Sequence, residues 1–167
     1  MEAVSEEVFF KWLPEYSVNI KTIDSQHREL VNIINRLFVA ISMREGDKVI
    51  AGILKALQNY TKTHFALEER LMLLAQYPDM DAHVAEHNNL LEQLDQLCKK
   101  HLLEEKPIYF DILRFLKHWL KEHIIGVDTK YSSALQQAGF SIAAWEKEAS
   151  AEFAAMIEKT GRWWKVW

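Results

Sequence analysis

The residues best suited to chemistry in this 167-residue chain are histidines and carboxylates spaced at helical intervals. His64 and Glu68 are four residues apart, and so are His83 and His87. On an α-helix, residues four apart lie on one face about 6 Å apart along the axis, so each pair can point at one centre. Three more residues of these types accompany the two pairs: His27, His123 and Asp128.

The chemistry that this set favours is metal coordination. The seven residues lie within otherwise apolar helical stripes, where an unpaired buried charge costs several kcal/mol and a bound cation offsets that cost. Imidazole with carboxylate is the ligand set of iron, zinc or manganese rather than of copper(I) or calcium. Seven ligands are too many for one tetrahedral ion. The set therefore predicts two ions that share bridging carboxylates, for which Glu68 and Asp128 are the candidates.

The elements that must position these residues are helices. Apolar residues recur at intervals of three and four, and only 5 Gly and 3 Pro are present, which argues against a turn-rich all-β fold. The pattern predicts four long helices: from Asp24, as the N-cap, to Ser42; from Asp47 to Ala75; from Asp79 to Leu103; and from Lys106–Pro107 to just before Gly139. Joined by short connections, they predict an all-α, up-down-up-down four-helix bundle.

One ligand pair does not have helical spacing. His123 and Asp128 are five residues apart, which is about 140° around an ideal helix, so they should not face one centre. The spacing predicts a π-type bulge or local unwinding over residues 122–128, helped by Gly126. Such bulges are frequent at functional sites.

Together these residues resemble the signature of a known family. The stretches Ile23-Asp24-Ser25-Gln26-His27, His64-x3-Glu68, His83-x3-His87 and His123-x4-Asp128 resemble those of the hemerythrins, in the bacterial single-domain form called bacteriohemerythrin. The resemblance covers about residues 10–135. It implies that one iron is bound by His83, His87 and His123, and that the other is bound by His27 and His64 and keeps an open position. Glu68 and Asp128 would bridge the two irons beside an oxo or hydroxo group.

The resemblance also implies a function, which is reversible dioxygen binding at a non-haem di-iron centre for O2 storage or delivery, without catalysis. It further implies that Phe65, Trp119, Leu120 and Ile124 form the walls of the O2 pocket. Apolar walls would admit a neutral diatomic molecule and exclude water and protons. Two alternatives stay open: an oxygen or redox sensor acting through a separate partner, and a di-iron enzyme that handles peroxide or nitric oxide.

Composition narrows the remaining classes of function. The formal net charge of −4 gives no basic footprint for nucleic acid. No segment approaches the roughly 20 apolar residues of a membrane-spanning helix, and the acidic N-terminus is unlike a secretory signal. A cytoplasmic protein is therefore expected. The single cysteine excludes an intrachain disulfide scaffold and an all-thiolate metal site.

The C-terminal segment is predicted to be an extension, residues 139–167, to a metal-binding bundle formed by residues 1–138. It contains a fifth helix and an aromatic tail, with four of the six tryptophans of the chain: Trp145, Trp163, Trp164 and Trp167. The favoured role is packing on the bundle or on a second copy of the chain. Docking to another protein and contact with a membrane surface are the alternatives, and acidic residues on the helix argue against the membrane.

Overall fold

The computed structural model describes residues 8–103 and 108–160. Within these ranges the chain is helical. A short 3-10 turn, Pro14–Tyr16, precedes six α-helices, which are α1 (Lys21–Ser42), α2 (Asp47–Leu74), α3 (Met80–Leu103), α4 (Tyr109–His123), α5 (Thr129–Gln137) and α6 (Ile142–Thr160). A π-helical turn, Ile124–Asp128, joins α4 to α5.

The first five helices form the predicted up-down-up-down bundle. α1 packs against α2 and α4, and α3 also packs against α2 and α4. The fourth position of the bundle is occupied by α4, the π turn and α5 in succession. The apolar stripes of the four sides meet in one core, with buried side chains that include Leu30, Ile34, Leu57 and Leu116. The all-α four-helix bundle predicted from the sequence is confirmed.

The start of α1 differs from the prediction. The helix begins at Lys21 with Ile20 at the N-cap position, so the prediction that Asp24 is the N-cap was wrong. Asp24 is buried in the first turn, and its carboxylate accepts hydrogen bonds from the Ser17 hydroxyl and, at 2.8 Å, from the Val18 N–H. The side chain thus reaches back to the arm before the helix, whereas an N-cap side chain binds N–H groups ahead of it.

The predicted π-type bulge is confirmed. The π turn adds one residue to the helical turn and brings Nε2 of His123 to 3.1 Å from Oδ1 of Asp128. A Cβ atom added at Gly126 would meet no atom within 4 Å. The bulge therefore needs no glycine to provide space.

The C-terminal helix α6 packs on the outside of the bundle against α1 and α2. Trp145 and Ala149 are buried in this contact, and the Glu146 carboxylate accepts a hydrogen bond of 2.8 Å from the Thr22 N–H at the start of α1. The described part of the extension therefore packs on its own bundle. Two of the sequence predictions, the roles of Trp163, Trp164 and Trp167 and the opening of the fourth helix at Lys106–Pro107, lie outside the described residues.

Of the helices that the structure describes, none combines the length and the apolar character needed to cross a membrane. The cytoplasmic location and the division of the chain at residue 138 stay predictions.

Replacing Asp24 by alanine should lower the free energy of unfolding by about 1–3 kcal/mol, because the buried Val18 N–H loses its acceptor. Asp111→Ala is the matched control, since Asp111 is exposed and pairs with Arg114 on the surface of α4. Urea denaturation of both variants at equal metal content measures the difference. Equal losses in the two variants would contradict the assignment.

Candidate metal centre

The seven residues predicted as metal ligands converge from all four sides of the bundle. α1 carries His27, α2 carries His64 and Glu68, α3 carries His83 and His87, and α4 with the π turn carries His123 and Asp128. All seven are between 0% and 4% exposed. The structure brings them into one cluster, and none of the seven lies apart from it.

The cluster consists of two overlapping sets. One set contains Glu68, His83, His87, His123 and Asp128, and the other contains His27, His64 and Glu68; in each, the candidate ligand atoms lie within 4.8 Å of one another. This is the same division of three and two histidines that the sequence resemblance implied. Glu68 belongs to both sets, as a bridging carboxylate would.

Asp128 also faces both sets of histidines. Its Oδ1 lies 3.1 Å from Nε2 of His123 and 3.4 Å from Nε2 of His83. Its other oxygen, Oδ2, lies 3.2 Å from Nε2 of His27. The two oxygens of this carboxylate therefore point toward different ends of the cluster, which is the arrangement that a second bridge between two ions requires.

The donor atoms at the centre of the cluster are fully buried and largely unsatisfied. Among the described residues, five of these atoms have no hydrogen-bond partner: Nε2 of His27, Nε2 of His123, Oε2 of Glu68 and both carboxylate oxygens of Asp128. A buried polar atom without a partner costs about 1–3 kcal/mol. Cations held between these lone pairs would satisfy them all at once, so the residues present fit a pair of metal ions.

The protonation states of most of the cluster suit coordination. Burial lowers the pKa of His64 to about 3 and that of His83 to about 4, so both rings are neutral at pH 7. Burial and the charge of Asp128 would raise the pKa of Glu68, but its close contacts with the surrounding imidazoles, His64 first and then His87 and His27, outweigh them and lower it to about 2. Neutral imidazoles and ionised carboxylates are the forms that bind metal ions.

His123 and Asp128 form a tighter pair. Burial would lower the pKa of His123, but the Asp128 carboxylate outweighs burial and raises it. The same contact holds the pKa of Asp128 below its usual range, against the effect of burial. A metal ion that binds here would compete with a proton for the imidazole of His123.

Two of the clustered histidines donate hydrogen bonds from Nδ1–H to residues to which the sequence analysis gave no role. Nδ1–H of His64 donates to Oε1 of Gln26 at 2.7 Å, and Nδ1–H of His87 donates to Oε1 of Glu69 at 2.9 Å. Each bond fixes the ring so that Nε2 carries the lone pair and points into the cluster. Partners of this kind orient metal ligands and raise their donor strength.

A third supporting contact is made by Tyr131, whose buried hydroxyl donates to Oε1 of Glu68 at 2.7 Å. Each supporting residue lies close to a ligand in the sequence, since Gln26 precedes His27, Glu69 follows Glu68 and Tyr131 is three residues after Asp128. This closeness to predicted ligands was the sequence signal that could have indicated the three supporting residues. It could not identify the partners, because each of the three bonds connects different helices.

The four residues predicted as pocket walls lie beside the ligand rings. Phe65 stacks on His87 with 3.6 Å between ring centroids, and Trp119 stacks on His123 at 5.3 Å. The rings of Phe65 and Trp119 meet edge to face at 5.9 Å. The other two wall residues, Leu120 and Ile124, are buried on either side of His123. Their role as walls of an O2 pocket stays a prediction.

Comparison with known proteins agrees with this site. Residues 18–135 match the family described as the hemerythrin HHE cation binding domain. The chain is 33% identical over 121 residues to the bacteriohemerythrin of Methylococcus capsulatus, an alignment that covers 72% of this chain and 92% of the relative. It is 30% identical over 126 residues to the bacteriohemerythrin of Stenotrophomonas maltophilia, which covers 75% and 80% of the two chains.

Solved structures give the same result. The crystal structure of a wild-type hemerythrin superposes with a TM-score of 0.67 at 33% identity, covering 75% of this chain and 97% of the other. A single-residue variant of hemerythrin superposes with a TM-score of 0.69 at 32% identity, covering 77% and 98%. The seven clustered residues all lie within the matched residues 18–135. The chain therefore belongs to the hemerythrin family.

Proposed function

We propose that this protein binds dioxygen reversibly at a non-haem di-iron centre and serves to store or deliver it. The observation that carries the proposal is the unequal division of the buried ligands into a set with three histidines and a set with two. If Glu68 and Asp128 are shared between two ions, the ion held by His27 and His64 would have one protein ligand fewer. That ion would have room for an exogenous ligand.

The chain contributes a dry, rigid surrounding to this centre. The iron pair supplies, when bound, the electrons that dioxygen takes up reversibly. Phe65, Leu120 and Ile124 are buried apolar side chains next to the ligands, and Trp119 covers His123. These side chains bring no proton donor to the ligand position except the indole N–H, and they exclude water. Both effects limit irreversible oxidation of the centre.

Binding is favoured over catalysis by the composition of the ligand set. Ferritin-like oxidases carry Glu-x-x-His pairs on two of their helices. This sequence contains no Glu-x-x-His, and five of its seven clustered residues are histidines. Dioxygen is the ligand that this set supports. An enzyme that handles peroxide or nitric oxide is the outcome against which the first experiment discriminates. A reversible band would fit both a carrier and a sensor that acts through a partner.

The purified chain should contain about two irons and develop a visible charge-transfer band in air that disappears under argon, over repeated cycles. Elemental analysis and anaerobic-to-aerobic difference spectra measure this. A band or bleaching that is irreversible on first exposure to air would contradict a carrier and favour a peroxide-handling enzyme.

Replacing His123 by leucine should remove half of the iron or all of it, because the ion of the three-histidine set then loses one of its imidazole ligands. His118→Leu is the control, since His118 is exposed on the same helix and should not affect the iron content. Iron per chain, measured by elemental analysis, gives the result. Full iron occupancy after the change at His123 would remove it from the ligand set.

Replacing Leu120 by alanine should leave the iron in place and raise the rate of air oxidation several-fold, because the pocket wall is opened to water. Leu116→Ala makes the same truncation at another buried position, one turn further from His123. Stopped-flow absorption of the diferrous protein mixed with aerated buffer measures both rates. If the two variants oxidise equally fast, Leu120 has no special role as a pocket wall.

A further inference from the structure

The C-terminal helix α6 lies against the part of α1 that supports the metal centre. Trp145 and Ala149 anchor α6 in a buried contact, and Glu146 accepts a hydrogen bond from the Thr22 N–H at 2.8 Å. This helix follows the residues matched by the family, which end at 135. Its contact with α1 therefore belongs to this chain's own extension.

The contact with α6 is one helical turn from Gln26. Thr22 and Gln26 are four residues apart on α1 and so share a face of that helix. Gln26 is only 2% exposed, and it lines a cavity of about 500 Å³ whose other walls include Tyr60 of α2 and Glu146 of α6. Gln26 therefore lies between α6 on one side and the His64 ring on the other.

The amide of Gln26 is held at one end. Its Oε1 accepts the 2.7 Å hydrogen bond from Nδ1–H of His64. Its Nε2 is fully buried and has no hydrogen-bond partner among the described residues. With one end unheld, the position of the amide depends on the packing of α1 and α6 around it. The strength of the hydrogen bond to His64 depends on the position of the amide. That hydrogen bond in turn sets how strongly the His64 ring donates to a metal ion.

The set that contains His87 has a supporting hydrogen bond of a different kind from the one between Gln26 and His64. Nδ1–H of His87 donates to Glu69, which lies on α2 and bonds across to α3. A neutral amide thus supports a histidine of one set, and a carboxylate supports a histidine of the other. Only the amide lies on the cavity wall that α6 completes.

We propose that α6 sets the hydrogen bond between His64 and Gln26 and thereby tunes the iron held by His27 and His64. The extension is then a control element for one half of the centre, and it acts on the ion with the open position. Gln26 is the positioning residue, because it touches the ligand and not the metal. The inference rests on the di-iron centre of the proposed function, and its test uses no oxygen.

The test uses ¹H NMR of the full-length diferrous protein under argon, in which ligand imidazole N–H protons give paramagnetically shifted signals that exchange with water. Gln26→Leu and Glu69→Gln identify the signals of His64 and His87, because each removes or weakens the acceptor of one ring. Glu146→Ala should then shift the His64 signal and speed its exchange with D2O. It should leave the His87 signal unchanged.

The control is Glu148→Ala, which removes the same charge from an exposed position on the same helix and should shift neither signal. Trp145→Ala removes the buried anchor of α6 and should reproduce the effect of Glu146→Ala. In the Gln26→Leu background, Glu146→Ala should have no further effect on the His64 ring, since coupled residues are not additive. Gln26→Leu itself should speed the release of one iron per chain to a ferrous chelator by about tenfold.

Three results would overturn the inference. In the first, the His64 signal is unchanged in both Glu146→Ala and Trp145→Ala. In the second, Glu148→Ala gives the same shift as Glu146→Ala. In the third, Glu146→Ala keeps its effect in the Gln26→Leu background. A wild-type protein without paramagnetically shifted N–H signals would instead contradict the iron centre itself, which separates failure of the proposed function from failure of this inference.

Discussion

The charge of two carboxylates buried in the middle of a helical bundle constrains the rest of this structure. Glu68 and Asp128 are both inaccessible to solvent, and contacts with histidines keep the pKa of each below its usual range. Ionised groups are stable in such a place only when positive charge and hydrogen bonds surround them. The clustered imidazoles from four sides of the bundle, together with the metal ions that they would hold, provide that surrounding. The register of every helix must therefore bring its clustered residues to the same level along the bundle axis. Apolar side chains can then fill the bundle interior on both sides of this cluster along the bundle axis.

Much of this arrangement could be predicted from the sequence because the determining features are local. Residues four apart share a face of a helix, so His64 lies beside Glu68 and His83 beside His87 independently of the tertiary structure. Even the π turn was predictable, because a spacing of five between His123 and Asp128 conflicts with a regular helix. The fold follows from the same periodicities together with short connections.

The supporting contacts were not predictable because they depend on how helices pack. Gln26 and His64 are separated by 38 residues and Tyr131 and Glu68 by 63, so no local spacing relates them. The same limitation explains the error at Asp24. An aspartate at the beginning of an apolar stripe is typical of an N-cap, but this one binds the preceding arm, whose path is set by packing of the arm on the bundle. Residue type and position thus indicated a local role, whereas tertiary structure decided the direction of the side chain.

The candidate ligands come from all four sides of the bundle, so bound metal would affect the stability of the whole chain. Metal ions held by the clustered residues of α1, α2, α3, α4 and the π turn would act as a cross-link between segments that are far apart along the chain. Such a cross-link stabilises the folded chain relative to the unfolded chain, by an amount that grows with metal concentration. Chains made when iron is scarce would unfold more often and be degraded sooner. The amount of this protein would then follow the iron supply without any change in its synthesis.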